Sequence, residues 1–308
     1  MNKLLSIVIP TYNRASELDR QLTWLWHEIQ GFEQECEIFV SDNCSTDSTL
    51  EIIQKWQTAF TQVSFRTNRN LKNIFGMPNL ALCIQASQGQ FVWTIGDDDR
   101  IKPGTVAQVL SLLKQNPDLA LLYLNFNGYD DRTQQIVEVA GRSDDHWLDA
   151  DFAATCQKGQ AIFEHSIEQN FGAIIFLTAT IYRTQFAQES LHIWPESINN
   201  WGGQAFWTGF CAAQGRVMIT PDNYIECKIG VSHWQQEGGD WTKISYRDIP
   251  EVFLMLQERA GYSREFCRRM LLKNYKDCNI KVAHIKAHLK ALMKWPKVAV
   301  SLLFLMLA

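Results

Sequence analysis

The first 126 residues alternate between short apolar runs and segments whose apolar residues recur at helical spacing. Runs of this kind are typical of buried strands, and the intervening spacing is typical of amphipathic helices. The alternation predicts an α/β fold with a mostly parallel central sheet and helices on both faces. We expect strands at residues 4–9, 37–41, 63–66, 90–95 and 119–126. The expected helices include residues 71–88, bent near Gly76-Met77-Pro78, and residues 103–115.

Polar residues follow three of these predicted strands at the point where each strand ends. Because parallel crossover connections are right-handed, the loops after the strands gather at one edge of the sheet, where open α/β sheets bind their ligands. We therefore expect the polar residues of these loops to lie close together: Thr11, Tyr12 and Arg14 in the first, Asp42 and Asn43 in the second, and Asp97, Asp98 and Asp99 in the third.

The triple aspartate follows an apolar run through Gly96, which allows a tight exit from the strand. Three adjacent carboxylates repel one another unless a cation or hydrogen-bond donors hold them. A solvated acidic turn is the alternative interpretation. The buried strand in front of the aspartates favours a divalent-metal site with hard oxygen ligands.

Composition restricts the partners of the chain. A net charge of −4 argues against general affinity for nucleic acid. Residues 281–308, in contrast, carry five lysines and no acid, and residues 298–308 are almost wholly apolar. This pattern predicts a basic amphipathic helix at an anionic membrane surface. The alternative is a terminal helix docked on the protein.

The segments SIVIPTYNR, VSDNCSTDST and GQFVWTIGDDDRIKPG, in this order, resemble the nucleotide-sugar domain of family 2 glycosyltransferases. The form SDN with GDDD is similar to the abequosyltransferase-like branch of bacterial surface-polysaccharide enzymes. The resemblance covers roughly residues 4–126 and is loose beyond them. It implies a GT-A (Rossmann-like) fold, a nucleotide-diphosphate sugar as donor, and Mn²⁺ or Mg²⁺ as cofactor.

The resemblance also implies roles for individual residues. Asp98 would be the first metal ligand, followed by Asp99 and Asp97, and Asp98 and Asp99 would thereby serve catalysis. For Arg14 the alternative is a solvated residue at a helix start, and for Asp42 it is a turn or helix cap. The residues that would line the donor pocket are Pro10, Thr11, Tyr12, Arg14, Asp42, Asn43, Arg69 and Asp97.

The sequence departs from the family pattern at the catalytic base. Inverting members carry a Glu-Asp pair where this chain has Gly203 and Gln204, neither of which can remove a proton. Gln204 is predicted to hydrogen-bond an acceptor hydroxyl, and Trp201 and Trp207 either stack on a sugar or pack in the core. The candidates for the base are Glu196, Asp145, Glu164, His165 and His192. His233 lies in a loop that could close over the diphosphate.

Together these features predict a metal-dependent glycosyltransferase that moves a sugar onto a lipid-linked or growing surface-polysaccharide acceptor. Alternatives are a non-catalytic nucleotide- or glycan-binding relative and a sugar nucleotidyltransferase. We expect a donor-binding half at residues 1–126, an acceptor-binding half of the same domain at 127–245 and a helical C-terminal region at 246–308. The opening MNKLLSIVIP is too short for a signal peptide, and the eight cysteines form no CxxC pair, so we expect a cytoplasmic protein. The basic, apolar tail predicts that it lies at the cytoplasmic face of the inner membrane.

Overall fold

A computed structural model describes residues 3–130, 132–133, 135–137, 147–228, 243–277, 293–294 and 296. In these residues, nine strands form one mixed sheet in the order β3-β2-β1-β4-β8-β6-β9-β5, with β7 beside β6. The strands are β1 Leu5–Thr11, β2 Cys36–Asp42, β3 Ser64–Arg69, β4 Phe91–Thr94, β5 Arg100–Ile101, β6 Leu119–Asp130, β7 Gln135–Val137, β8 Thr180–Arg183 and β9 Arg216–Lys228.

Helices cover the sheet and extend the C-terminal region. They are α1 Ala15–Glu28, α2 Thr49–Ala59, α3 Gly76–Ala86, α4 Thr105–Gln115, α5 Ala150–Thr155, α6 Gly159–Gln169, α7 Phe171–Ile174, α8 Thr184–Ile193, α9 Gly203–Ala213, α10 Ile249–Ala260 and α11 Arg264–Asp277. Short 3₁₀ turns span Leu177–Ala179 and Pro195–Asn199, and a π turn spans Ile244–Asp248.

Strands β1 to β4 run parallel, and β9 runs parallel to β6, whereas β8 is antiparallel to both of its neighbours. All residues of β2 and β4, and all but one of β1, are buried. Apolar side chains on both faces of these strands remove them from water, which accounts for the lack of polar alternation in the sequence. The predicted α/β fold with a mostly parallel sheet is confirmed.

The register of the first three strands positions their ends. Thr11 pairs with Asp42 across β1 and β2, and Asp42 pairs with Arg69 across β2 and β3. The last residues of these strands therefore lie side by side, and the loops that follow them start from one line. This is the edge at which the sequence predicts the functional residues.

The prediction of a helix over residues 71–88 is wrong at its beginning, because α3 begins only at Gly76. The Asn43 side chain accepts a hydrogen bond from the Ile74 amide at 2.9 Å and donates to the Phe75 carbonyl at 3.3 Å. These contacts hold residues 71–75 in an irregular loop. Phe75 itself has φ +69°, a left-handed value that excludes it from a right-handed helix.

Helix α4 begins at Thr105 rather than at Pro103, because Arg100–Ile101 first forms the edge strand β5 against β9. The free amides at the start of α4 are satisfied from another element. The Glu28 carboxylate accepts hydrogen bonds from Gly104 N at 2.8 Å and Val106 N at 3.2 Å. A carboxylate at this end of a helix also interacts favourably with the helix dipole.

Of the C-terminal helices, α10 packs against α9 and α11. Gly209 of α9 lies so close to α10 and α6 that an added Cβ would sit 2.6 Å from Leu256 and 2.9 Å from Phe163. In the described residues, no helix is both long and apolar enough to cross a membrane. The predicted basic helix of residues 281–308 lies outside the described residues, apart from 293–294 and 296.

Candidate donor-binding site

The loop after β4 packs against the loop after β1 through one arginine. Arg14 Nη1 lies 2.9 Å from Asp97 Oδ1 and 2.6 Å from Asp98 Oδ2. Thr11 Oγ1 donates to the other oxygen of Asp97 at 2.8 Å. Arg14 therefore offsets the repulsion between two of the three aspartates, and it is not the solvated helix-start residue of the alternative interpretation.

Asp99 is buried and is held by a different part of the chain. Its carboxylate accepts a hydrogen bond from the Thr178 hydroxyl, and the same hydroxyl accepts the Gly96 amide proton at 2.8 Å. Gly96 is needed here because an added Cβ would lie 2.6 Å from Asp99 Oδ2. Thr178 lies 82 residues beyond Gly96 in the chain. It belongs to no motif, and sequence reasoning missed it.

Burial changes the acidity of two of the aspartates. Removal from water raises the pKa of Asp99 to about 7, with the negative charge of Asp98 acting in the same direction. Burial likewise raises the pKa of Asp97 to about 6, opposed by the positive charge of Arg14. Asp98 differs from both in position, because 26% of its side chain is exposed. It is the aspartate of the three that is open to a ligand.

The donor set decides what kind of metal site this edge can form. In the part of the chain that the structure describes, no group of three or more His, Cys, Asp or Glu side chains could hold a metal ion. A cage made entirely of protein ligands is therefore absent there. The open carboxylate of Asp98 instead fits an ion that takes its other ligands from substrate phosphates and water, as Mg²⁺ commonly does.

Asp42 carries an acceptor that lacks a donor. Its Oδ1 accepts the Ser45 amide proton at 2.9 Å, so the predicted turn role is present. Its Oδ2 is buried and has no hydrogen-bond partner, and Arg69 Nε lies 3.5 Å away. The ion pair with Arg69 offsets part of the cost of burying this oxygen, and a ligand N–H can offset more of it by donating a hydrogen bond. Asp42 thus combines a turn with an unused binding group.

The loops at this edge are held in unusual backbone conformations. The described non-glycine residues with positive φ are Asn13, Cys44 and Phe75, and they follow β1, β2 and β3 respectively. Strained residues of this kind cluster at ligand sites, where surrounding contacts maintain them. Asn43 maintains Phe75 in this conformation through its hydrogen bonds with Ile74 N and the Phe75 carbonyl. Pro10 is half-buried at the end of β1, and Tyr12 is 38% exposed beside it.

The start of α9 differs from the edge formed by the ends of β1 to β3 and the loops after β1, β2 and β4, which we call the donor edge. Gln204 is buried, and its amide lies 3.4 Å from the Tyr182 hydroxyl. Glu196 is exposed on the preceding 3₁₀ turn, and its charge contributes to raising the pKa of Glu251, which burial raises foremost. Asn200 donates to Glu251 Oε2 at 3.1 Å, and Trp201 N donates to Asp248 Oδ2 at 3.2 Å. Carboxylates from α10 and its preceding turn therefore surround this segment.

Asp248 and Glu251 were missed by sequence reasoning, because they follow Gln204 by more than forty residues and form no motif with it.

The indole nitrogen of Trp207 donates to Ser197 Oγ at 2.8 Å, and the ring is buried in the core. Trp201 stacks on Phe171 with ring centroids 6.1 Å apart. Both tryptophans thus make contacts within the protein.

The other candidates for the base lie elsewhere. His165 contacts Asp149 at 3.0 Å and stacks on Phe152, with ring centroids 4.0 Å apart. Glu164 is half-buried on the same helix, and His192 contacts the Gln188 carbonyl near the end of α8. Asp145 and His233 lie outside the described residues.

Comparison with solved structures assigns the class of fold. TarS of Staphylococcus aureus, residues 1–349 in complex with UDP-GlcNAc, superposes with a TM-score of 0.65 and 16% identity over 96% of this chain and 81% of that one. A mannosyltransferase from Pyrobaculum calidifontis in complex with GDP-Man and Mn²⁺ gives 0.55 and 14%, over 98% and 74%. The fold is that of GT-A glycosyltransferases.

The chain belongs to glycosyl transferase family 2, whose family model matches residues 6–168. It is 30% identical to the abequosyltransferase RfbV of Salmonella typhimurium over 128 residues, which are 41% of this chain and 38% of that protein. It is also 30% identical to a GalNAc(5)-diNAcBac-PP-undecaprenol β-1,3-glucosyltransferase of Campylobacter jejuni, over 39% and 37%. The chain thus spans about two fifths of the length of these curated relatives.

Proposed function

We propose that the protein transfers a sugar from a nucleotide-diphosphate donor to a lipid-linked or growing surface-polysaccharide acceptor, with a divalent metal at the diphosphate. The observation that carries this proposal is the convergence of the loops after β1, β2 and β4, which brings Arg14 onto Asp97 and Asp98. Family membership and relatives whose names specify sugar transfer support it.

In the proposed complex, the nucleoside lies along the ends of β1 to β3. The Asp42 oxygen that has no hydrogen-bond partner accepts a hydrogen bond from the base, and its ion pair with Arg69, at 3.5 Å, limits how that carboxylate can turn. Asn43 keeps the adjoining loop in place. Pro10, Thr11 and Tyr12 form the wall beside the ribose, and Asp97, fixed by Thr11 and Arg14, faces its hydroxyls.

Asp98 is the proposed first ligand of Mn²⁺ or Mg²⁺. Asp99 and then Asp97 are the next candidate ligands. The ion, when bound, offsets the charge that develops on the diphosphate as it leaves. Arg14 holds Asp98 before the donor arrives, and its guanidinium can then move its contact to a phosphate oxygen. Thr178 keeps Asp99 and Gly96 in place, so that the loop presents Asp98 outward.

On the acceptor side, we propose Glu196 as the general base and Gln204 as a contact for the acceptor hydroxyl. Glu196 is exposed, and it lies within electrostatic range of Glu251 at the segment where the family pattern has a Glu-Asp pair. The buried position of Gln204 against Tyr182 means that the acceptor would have to approach this hydrogen bond closely.

Hydrolysis of nucleotide-sugar donors tests the proposal. We expect the protein to release free sugar from at least one of a panel of UDP-, GDP-, CDP- and dTDP-sugars in the presence of Mn²⁺, and Asp98→Ala to lose this activity. Asp118→Ala is the matched control, because Asp118 is 64% exposed and pairs with Arg216 on the surface. Equal hydrolysis by wild type and Asp98→Ala would contradict the proposed role of Asp98.

A non-catalytic nucleotide- or glycan-binding protein is the second candidate. Two observations favour this candidate. Positions 203 and 204 carry Gly and Gln rather than carboxylates, and Gln204 is buried. This candidate predicts nucleotide binding without turnover toward any acceptor. Sugar release that depends on Mn²⁺ and on Asp98 excludes it.

We further propose that the protein acts at the cytoplasmic face of the inner membrane, held there by residues 281–308. The five lysines and the apolar end of this segment suit an anionic surface. Deleting residues 281–308 should reduce sedimentation with anionic liposomes. Unchanged sedimentation would assign membrane binding to another part of the chain.

A further inference from the structure

A short loop beside the donor edge presents two large apolar side chains to solvent. Leu71 is 102% exposed and Phe75 is 74% exposed, and Lys72 between them is exposed as well. Among the large apolar side chains of the described residues, Met293 at 77% is the other one exposed to this degree. We call Leu71, Lys72 and Phe75 the apolar finger. Because these side chains are so exposed, their burial in the described part of the fold contributes little to its stability.

The finger is held rigidly by polar side chains beneath it. Asn43 Oδ1 accepts from Asn70 Nδ2 at 3.0 Å and from Ile74 N at 2.9 Å. Asn43 Nδ2 donates to Asn73 Oδ1 at 2.8 Å and to the Phe75 carbonyl at 3.3 Å. One buried carboxamide thus uses its oxygen and its nitrogen to fix the loop. Because the loop is already ordered, binding through its exposed side chains needs little further loss of backbone conformational entropy.

The backbone angles of Phe75 are unusual for a phenylalanine. Its φ of +69° and ψ of 169° lie in a region that is essentially restricted to glycine and disfavours other side chains, an aromatic one included. Neither backbone preference nor internal packing therefore accounts for a phenylalanine at this position. A contact outside the described fold, which covers the ring when it forms, does account for it.

The charge of the sequence segment that carries the finger indicates what that contact is. Residues 52–96 contain no Asp or Glu, although the whole chain has a net charge of −4. Lys72 makes no ion pair among the described residues, whereas the other basic residues of this segment are each paired with a carboxylate: Lys55 with Asp19, Arg66 with Glu37 and Arg69 with Asp42. A cation without a partner between two exposed apolar side chains suits the boundary between anionic headgroups and acyl chains.

We propose that the apolar finger inserts into the surface of an anionic phospholipid bilayer. Leu71 and Phe75 enter the acyl boundary, and Lys72 contacts the headgroup phosphates. Because Asn43 joins the finger to the loop that carries Asp42, this contact orients the carboxyl edge of the sheet toward the membrane. The inference does not depend on the proposed transfer reaction, and the contact is separate from that of residues 281–308.

Vesicle flotation of the full-length protein tests the inference, with phosphatidylglycerol–phosphatidylcholine vesicles compared with pure phosphatidylcholine. Phe75→Gly removes the ring and suits the φ and ψ values of this position, so the fold should be retained. We expect it to lower partitioning onto anionic vesicles by about 10-fold, and the double variant with Leu71→Gln to lower it further. Lys72→Gln should reduce binding by about 5-fold on anionic vesicles only.

Leu272→Gln is the matched control, because Leu272 is 46% exposed on α11 and lies outside the finger. Its partitioning should equal that of the wild type. Thermal unfolding of each variant checks that the fold is intact. No vesicle binding by the wild type, or equal binding by the wild type and the double variant, would overturn the inference. Loss of nucleotide binding in the double variant with unchanged vesicle binding would overturn it too, since the finger would then belong to the donor pocket.

Discussion

The donor edge and the start of α9 are built in different ways. At the donor edge, the proposed site residues lie at the ends of β1, β2 and β3 or in the loops after β1, β2 and β4, and the parallel register places Thr11, Asp42 and Arg69 side by side. At the start of α9, the acidic groups come from the 3₁₀ turn that carries Glu196 and from α10 and its preceding turn. The first arrangement leaves a continuous motif in the sequence, and the second leaves none.

In the proposed function, the two regions serve different steps, which are donor binding at the donor edge and acceptor activation at the start of α9. The donor edge has cation and carboxylate in contact and one open aspartate, which suits a diphosphate with its metal. The start of α9 has carboxylates around a glycine and a buried glutamine, so a base there must come from outside the usual position. Changes at the two regions should therefore affect different steps.

The largest effect is expected at Asp98. Replacing it with Ala removes the open carboxylate but leaves the Arg14–Asp97 pair, so the fold should be retained. We expect sugar transfer and donor hydrolysis to fall about 1,000-fold, the loss typical of removing a group that stabilises transition-state charge. Single-turnover assays of both reactions measure this. Asp118→Ala should behave like the wild type, and a comparable loss in that control would point to a general effect of charge.

The next effect is expected at Glu196. With Gln in its place, transfer to the acceptor should fall about 100-fold, because a general base contributes at least this much. Donor hydrolysis and nucleotide affinity should stay at the wild-type level, since Glu196 lies on the acceptor side. Parallel assays with Glu251→Gln identify which carboxylate acts. Full activity in Glu196→Gln would remove this residue from the mechanism.

A smaller effect is expected at Thr178, which is buried and contacts Asp99 and Gly96 in the loop after β4. Thr178→Val keeps the shape but removes the hydroxyl that binds Asp99 and Gly96 N. Affinity for Mn²⁺ in the presence of nucleotide should fall about 10-fold, as for other residues that orient metal ligands. Calorimetric titration of Mn²⁺ measures the change. Thr178→Ser should restore it, and failure of Ser to do so would show that the hydroxyl is not the active group.

The smallest effect concerns stability. Folding raises the pKa of Asp99 to about 7, so ionisation of Asp99 destabilises the fold increasingly between about pH 4 and pH 7. Asn at this position stays neutral and can still accept from Thr178. The melting temperature of Asp99→Asn should therefore exceed that of the wild type at pH 8, and the difference should vanish near pH 4. Calorimetric scans across this range measure it, and a difference independent of pH would contradict the assigned cause.

Much of the fold and of the donor edge could be predicted because the signals are local. Buried parallel strands leave unbroken apolar runs, and the loops after them carry the polar residues. Thr178 and Asp248 could not be predicted, since their contacts depend on packing between segments far apart in the chain. The prediction of a helix over residues 71–75 was wrong for the same reason. Hydrogen bonds of the distant Asn43 side chain with Ile74 N and the Phe75 carbonyl hold these residues in a loop despite their helical spacing.

A thermal-shift titration with UDP, GDP, CDP and dTDP, each with and without Mn²⁺, tests the central claim most directly. The account predicts that at least one nucleotide raises the melting temperature of the wild type, that Mn²⁺ enlarges this rise, and that Asp98→Ala loses the enlargement. No shift with any nucleotide, or an enlargement that survives in Asp98→Ala, would contradict the assignment of this edge as a metal-assisted donor site.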